Sequence, residues 1–268
     1  MLKQILSSLK KDFLIESSYR FSFLYNIFGV ILNVLSFFYI DKLFGNKITP
    51  NLQEFGVNYF PYVLVSIAFF SYIGVGLGSF SDRIRNEQMQ GTLEAIMLTP
   101  ANIYTILFSL TLWNLILATI DMVIYAVLGI FLFKINFTNI NLLSTLAVLI
   151  LTIITFSGLG IISASFIIIF KRGNPAGWIV AGLEGLICGV YFPVNVLPAG
   201  LQFLAKCFPV TYAIKAIELA VYKGYSLLQL THEITFLLLF SFLLIPLSLF
   251  SFKHSIQKAR KDGSLGQY

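Results

Sequence analysis

Apolar runs separated by short polar or basic stretches follow one another along the chain, at about Phe21 to Ile40, Val57 to Phe80, Ile103 to Phe133, Leu142 to Phe170, Gly177 to Phe192 and Ile234 to Phe252. Several reach or pass about 20 residues without Lys or Arg, and at about 1.5 Å per residue that much helix crosses a hydrocarbon core of about 30 Å. Backbone in lipid must satisfy its own hydrogen bonds, so the pattern predicts an all-α membrane protein with six transmembrane helices.

Ahead of the first run, Leu2, Ile5, Leu6, Leu9, Phe13 and Leu14 recur at helical spacing among Lys3, Lys10, Lys11, Asp12 and Glu16. That spacing predicts an amphipathic interfacial helix over residues 1–20, in preference to an unstructured leader. The first run starts near residue 21, has no A-x-A-like cleavage site and is followed by Asp41 and Lys42, so it is expected to remain in the mature protein.

Between the second and third runs lies a polar island, RIRNEQMQGTLEAIMLTP, from Arg83 to Pro100. Ser81 or Asp82 can cap a helix start and Thr99-Pro100 can stop it, which predicts a short helix over 82–98. On that helix Met89, Leu93, Ile96 and Met97 share a face, Arg85, Glu87, Gln88 and Glu94 form polar edges, and Gly91 leaves room for another backbone. Pattern alone leaves two uses open: a helix lying on the membrane between two spans, or one that plugs into a groove of a soluble partner.

The fifth run is short, and Pro193 and Pro198 interrupt the chain after it while Leu197, Leu201, Phe203, Leu204, Phe208 and Val210 keep it apolar. Such chain predicts short re-entrant helices over 193–230, bent by their prolines. Beyond Pro209, helical spacing resumes through Ala213, Ala216, Ile217, Ala220 and Val221, with Lys215 and Glu218 as an expected polar edge.

Composition agrees with a membrane setting: 57% of the 268 residues are hydrophobic and 11% charged, against about 25% charged in soluble domains. Charge then sets orientation. With the amino end inside, the inner segments carry Lys3, Lys10, Lys11, Arg20, Arg83, Arg85, Lys171, Arg172, Lys253, Lys258, Arg260 and Lys261, which is 12 of the 18 basic residues. The positive-inside rule therefore predicts both termini in the cytoplasm of a multi-pass cell-membrane protein. The net charge of +6 is inner-face bias, and no aromatic-interleaved basic groove suggests a nucleic-acid partner.

Chemistry-bearing residues are sparse. Asp121 and Glu184 fall inside the third and fifth runs, where a charge facing lipid costs about 2.5 kcal/mol or more, so each needs a partner, a cavity or the bundle interior. Asn114, seven residues before Asp121, is expected on the same face. These three are candidate pathway or dimer contacts, with helix-to-helix hydrogen bonding as the structural alternative. Gly74-Val75-Gly76-Leu77-Gly78 lacks the lysine of a phosphate loop and reads as close helix packing or a flexible helix end. His232 and His254 have no metal-ligand spacing, Cys188 and Cys207 form no metal-binding pair pattern, and no metal site is expected. The two cysteines read as buried apolar residues, with a disulfide at the outer side as the alternative.

Glu87 to Pro100, with its Gly91-Thr92-Leu93-Glu94 core, resembles the signature of ABC-2 type transporter permeases. So does the later series Gly189-Val190-Tyr191-Phe192-Pro193-Val194, Leu197-Pro198 and Phe208-Pro209-Val210-Thr211-Tyr212-Ala213. The resemblance spans essentially the whole chain and implies a single transmembrane domain over 1–268.

It further implies a half-transporter that pairs with a second copy or a related permease and with cytoplasmic P-loop ATPase subunits. ATP and Mg2+ would bind those ATPases, with no cofactor on this chain. Glu87, Met89, Gly91, Thr92, Leu93, Glu94 and Met97 would belong to the coupling helix that docks on the ATPase. Tyr191, Pro193, Pro198 and Pro209 would belong to the re-entrant segment near the pathway exit. Family members often carry more charge before the Gly-Thr pair, where Gln88, Met89 and Gln90 stand here. Substrates of the architecture include drugs, lipids and other amphiphiles; the short outer loops favour these over export of a polysaccharide or lipid-linked glycan. Without the resemblance, an ATP-independent secondary transporter is the next reading, and a lipid-active membrane enzyme lacks convergent catalytic groups.

Overall fold

The computed structural model describes residues 2–18, 20–97, 103–131, 133–135, 137–171 and 185–263, and all regular structure among them is helical. The helices are α1 (Leu2–Ser18), α2 (Arg20–Ile48), α3 (Tyr59–Met89), α4 (Leu93–Met97), α5 (Ile103–Phe131), α6 (Leu142–Phe170), α7 (Ala199–Lys206), α8 (Pro209–Tyr222) and α9 (Thr231–Lys261). Among the described residues, α2, α3, α5, α6 and α9 have the length and apolar content to cross a bilayer. The expected crossing from Gly177 to Phe192 falls in large part on 177–184, outside the described residues; of its remainder, Gly185–Ile187 makes one helical turn and 188–192 bend.

Local chemistry explains the ends of α6. The Asn141 side chain accepts from the Ser144 amide at 3.1 Å, capping the first turn, and Lys171 stops the helix in the left-handed region at φ 57°. These are the limits expected from the apolar run. By contrast α9 extends past its run at both ends, finishing in a basic turn with Lys258, Arg260 and Lys261 that suits the negative end of the helix dipole.

Glycines let the central helices approach one another closely. A Cβ on Gly160 would meet the Gly76 carbonyl and lie 2.9 Å from the Leu77 carbonyl; one on Gly76 would sit 2.8 Å from the Phe156 Cβ. Within the glycine run of α3, Gly76 is thus the packing position, while Gly74 meets nothing within 4 Å. Gly158 plays the same part against Leu244 of α9, at 3.0 Å. Around these contacts Phe69, Ile73, Leu77 and Phe156 join Ile217 of α8 and Leu237 of α9 in the largest apolar core. α2 and α5 close on the other side of α3 through Val30, Val34, Phe60, Leu64 and Tyr125.

A second core gathers the opposite ends of the same helices: Phe80 and Ile84 of α3, Leu93 of α4, Ile167 and Ile168 of α6, and Ile256 and Ala259 of α9. α1 packs on α5 and touches α2 beside this end, with Phe13 edge-on to Trp113 at 6.0 Å. Of the helix predicted over 1–20, Leu2–Ser18 is helical, and its Leu6, Phe13 and Leu14 remain more than half exposed.

The separate helix predicted over 82–98 is corrected. α3 runs unbroken through Ser81 and Asp82 to Met89. The Ser81 hydroxyl donates back to the Leu77 and Gly78 carbonyls, at 3.3 and 3.0 Å, instead of capping a new helix. The break comes later, at Gly91, where φ is +69°. The expected stop at Thr99-Pro100 lies outside the described residues.

Candidate functional site

The α3–α4 junction is a Schellman turn. The Gly91 amide donates to the Gln88 carbonyl at 3.0 Å and the Thr92 amide to the Glu87 carbonyl at 2.9 Å, the two reversed bonds that close a helix through a left-handed residue. Glycine is demanded here by its positive φ. The expected close approach is absent, since an added Cβ at Gly91 would meet nothing within 4 Å.

Reversing the chain at Gly91 also splits the expected apolar stripe. Met89 is 60% exposed whereas Leu93 is 1% exposed in the second core, so the two face opposite environments. Leu93 anchors α4, which Met97 ends. Arg85, Met89, Gln90, Gly91, Thr92 and Glu94 form the exposed rim of the turn.

Beneath the rim lies a knot of charge. Arg83 reaches Asp12 of α1 with Nη2 at 2.9 Å and Glu87 with Nε at 3.1 Å, and Lys11 adds a looser contact to Glu87 at 3.8 Å. The Thr92 hydroxyl donates to the Glu87 carboxylate. Both acids are buried, Asp12 at 5% and Glu87 at 6% exposure, and Arg83 is their nearest cation, with Lys11 further off at 4.0 and 3.8 Å. The chain of contacts joins the interfacial helix, the end of α3 and the turn into one unit. Glu87 therefore spends its side chain inside the molecule, whereas Glu94 offers its own to the outside.

Asn114 and Asp121, expected on one face of α5, serve different neighbours. The Asn114 amide donates to the Ser79 hydroxyl of α3 at 3.0 Å, and Asp121 accepts from the Asn26 amide of α2 at 2.9 Å. Both are helix-to-helix bonds, the structural alternative weighed above. Glu184 lies outside the described residues.

The proline-bearing segment forms the other end of the molecule. Tyr191 stacks on Phe37 of α2 at 5.5 Å, Pro193 precedes a 3-10 turn, Pro198 occupies the N-cap of α7, and Pro209 opens α8. Proline suits that first helical position, where an amide would have no intrahelical partner. The expected polar edge on α8 is corrected: Lys215 is partly exposed, but Glu218 is fully buried, its carboxylate accepting from the Ser66 hydroxyl at 2.7 Å. α8 packs against α3, α6, α7 and α9 and so has little outer face there. Cys188 and Cys207 form no disulfide with each other; the first is buried and the second exposed, which corrects the buried reading for Cys207.

Sequence pattern missed the partners that build these sites. Arg83 and Glu87 are four apart on one helix, a readable pairing; Asp12 to Arg83, Ser66 to Glu218 and Asn26 to Asp121 are long-range contacts that no periodicity announces. Among the described residues, no three of His, Cys, Asp or Glu gather as a metal-ligand set.

A family model described as ABC-2 type transporter matches residues 3–222. No curated protein matches the chain.

Proposed function

Because the chain belongs to the ABC-2 type transporter family, and is thereby a multi-pass membrane permease of an ABC transporter, we propose that it is one half of the membrane pathway of an ATP-driven exporter. Two such chains, or this chain and a related permease, form the pathway, and separate P-loop ATPase subunits supply ATP and Mg2+ chemistry. The cargo is a small amphiphile, a lipid or drug. In this reading 193–230 dips into the membrane from the outer side.

Orientation follows from charge. Arg83, Arg85, Lys258, Arg260 and Lys261 belong to elements that meet around the second apolar core, with Lys10 and Lys11 on α1 tied to the same end through Asp12 and Arg83, and positive-inside bias makes that end cytoplasmic. The turn at Gly91 then faces the ATPase.

The observation that carries the proposal is the pairing of an exposed rim with a buried tether. Arg85, Met89, Gln90 and Glu94 are available to a partner, while Leu93 and the Asp12–Arg83–Glu87 knot hold the turn rigidly to α3 and α1. Force applied to the rim would pass into α3, and through its glycine contacts into α6. A flexible loop would dissipate it.

Affinity purification of the tagged chain from its native membrane tests this. The expected result is co-purification of a P-loop ATPase, weakened by Glu94→Arg and by Gly91→Trp while the permease itself stays folded. Active transport by a chain that carries no such ATPase would overturn the reading.

A further inference from the structure

At the end of the molecule remote from α1, a cleft of about 330 Å³ opens between the turn after α2, the 188–195 segment, α7, α8 and the start of α9. That volume suits a small polar headgroup. Its charged lining is arranged, not scattered. The Lys215 ammonium on α8 lies 2.8 Å from Glu54 and 3.7 Å from Glu233, so two carboxylates share one cation. The Glu233 side chain is only 7% exposed, which makes its surplus of negative charge costly unless a second cation arrives. Across the cleft on α7, Lys206 meets no carboxylate among the described residues.

A ligand that satisfies both walls carries an ammonium for the acidic pair and an anion for Lys206. The acidic pair favours a primary amine, whose N–H groups donate to carboxylates, over a quaternary one that cannot. The nearby aromatic rings are already occupied with each other: Tyr212 stacks on Phe236 at 4.4 Å and His232 stands edge-on to both. They form no open cage for a quaternary group.

The neighbourhood of the cleft is apolar. On α7, Phe203 is 73% exposed and Leu201 and Leu204 about two-fifths exposed, beside Lys206. A ligand held by its head in the cleft can therefore lay a hydrocarbon tail along α7. We propose that this cleft binds the headgroup of an aminophospholipid, the ammonium between Glu54 and Glu233 and the phosphate at Lys206, with an acyl chain against α7. This deepens the amphiphile reading and rests on it for the meaning of the site, yet binding needs no ATPase, so the two can fail separately.

Native mass spectrometry of the full-length chain, released from nanodiscs of equimolar dioleoyl phosphatidylethanolamine, phosphatidylcholine and phosphatidylglycerol, tests the assignment. Phosphatidylethanolamine should be retained about tenfold over each of the others, the size of one charge-assisted hydrogen bond. Lys206→Gln, at an exposed position that the fold does not need, should reduce its advantage over phosphatidylcholine little but weaken retention of all three phosphates; Lys206→Arg should restore it. Glu233→Gln should abolish the preference for the amine. Equal retention of the three lipids, a preference unchanged by Glu233→Gln, or equally strong binding of tailless glycerophosphoethanolamine would overturn the proposal. Because Glu233→Gln also alters the Lys215 contact, its thermal melt is compared with the parent's, and Glu54→Gln, at a half-exposed position, supplies an independent loss of amine preference.

Discussion

Thr92 holds Glu87 twice: its amide donates to the Glu87 carbonyl at 2.9 Å, and its hydroxyl donates to the Glu87 carboxylate. The turn at Gly91 is fixed by backbone and side chain together. Thr92→Val keeps the shape and removes only what the hydroxyl holds, its bond to the carboxylate and a longer 3.3 Å contact to the Glu87 carbonyl, which should lower thermal stability by about 1–2 kcal/mol. Gly91→Ala meets no obstruction, so its cost should be the conformational one alone, about 1–2 kcal/mol for a left-handed residue with a Cβ. Melting the two variants in one detergent checks both values; a Gly91→Ala chain as stable as the parent would show the turn to be free to change conformation.

Arg83 is the common cation of two buried acids, Asp12 on α1 and Glu87 on its own helix. Arg83→Met leaves both buried carboxylates with only the looser Lys11 ammonium, at 3.8 Å from Glu87 and 4.0 Å from Asp12, and should cost about 3 kcal/mol, whereas Glu87→Gln leaves the Asp12 pair intact and should cost less. Arg83→Lys should fall between, since a point ammonium cannot bridge two directions as the guanidinium fork does. A double-mutant cycle on Arg83 and Asp12 reads the coupling directly. Zero coupling would mean that α1 is held by its apolar face alone.

What could be read from the chain was what depends on local order. α6 begins and ends where its apolar run does, because an asparagine cap and a basic left-handed residue bound it. The end of α3 was hidden for a local reason too: Ser81 and Asp82 resemble caps, yet the serine hydroxyl finds acceptors inside its own helix. The face containing Met89 and Leu93 could not be read, since counting residues assumes one helix and Gly91 divides two. Glu218 looked like a polar edge because helical spacing places it among apolar positions without saying how many sides of α8 are covered. The tether from Asp12 to Arg83 spans 71 residues and exists only once the bundle has formed.

Gly160 and Gly76 interlock α6 with α3 at contact distances that leave no room for a methyl group. Gly160→Ala should be the more damaging change, since its new Cβ would press on two backbone carbonyls, which cannot rotate aside as a side chain can. A loss of about 1–3 kcal/mol, or failure to accumulate in the membrane, is expected. Gly74→Ala, with nothing within 4 Å, is the matched control in the same glycine run and should be tolerated. Comparable melting of both alanine variants would refute the close α3–α6 approach.

Glu218 of α8 is fully buried and joined to Ser66 of α3, whose hydroxyl donates to one carboxyl oxygen at 2.7 Å, while the other oxygen finds no hydrogen-bond partner among the described residues. The bond ties α8 to the central helix. Glu218→Gln keeps the length of the side chain and an oxygen for the Ser66 hydroxyl, so its melting temperature should stay close to the parent's. Glu218→Ala leaves a void and an unpaired Ser66 hydroxyl, and should cost about 2–4 kcal/mol. Ser66→Ala removes the same bond from the other side and should cost about 1–3 kcal/mol, since it strands the buried carboxyl. Melting the three variants beside the parent in one detergent reads these differences. An alanine variant at 218 as stable as the glutamine one would show that the buried bond contributes nothing to holding α8 on α3.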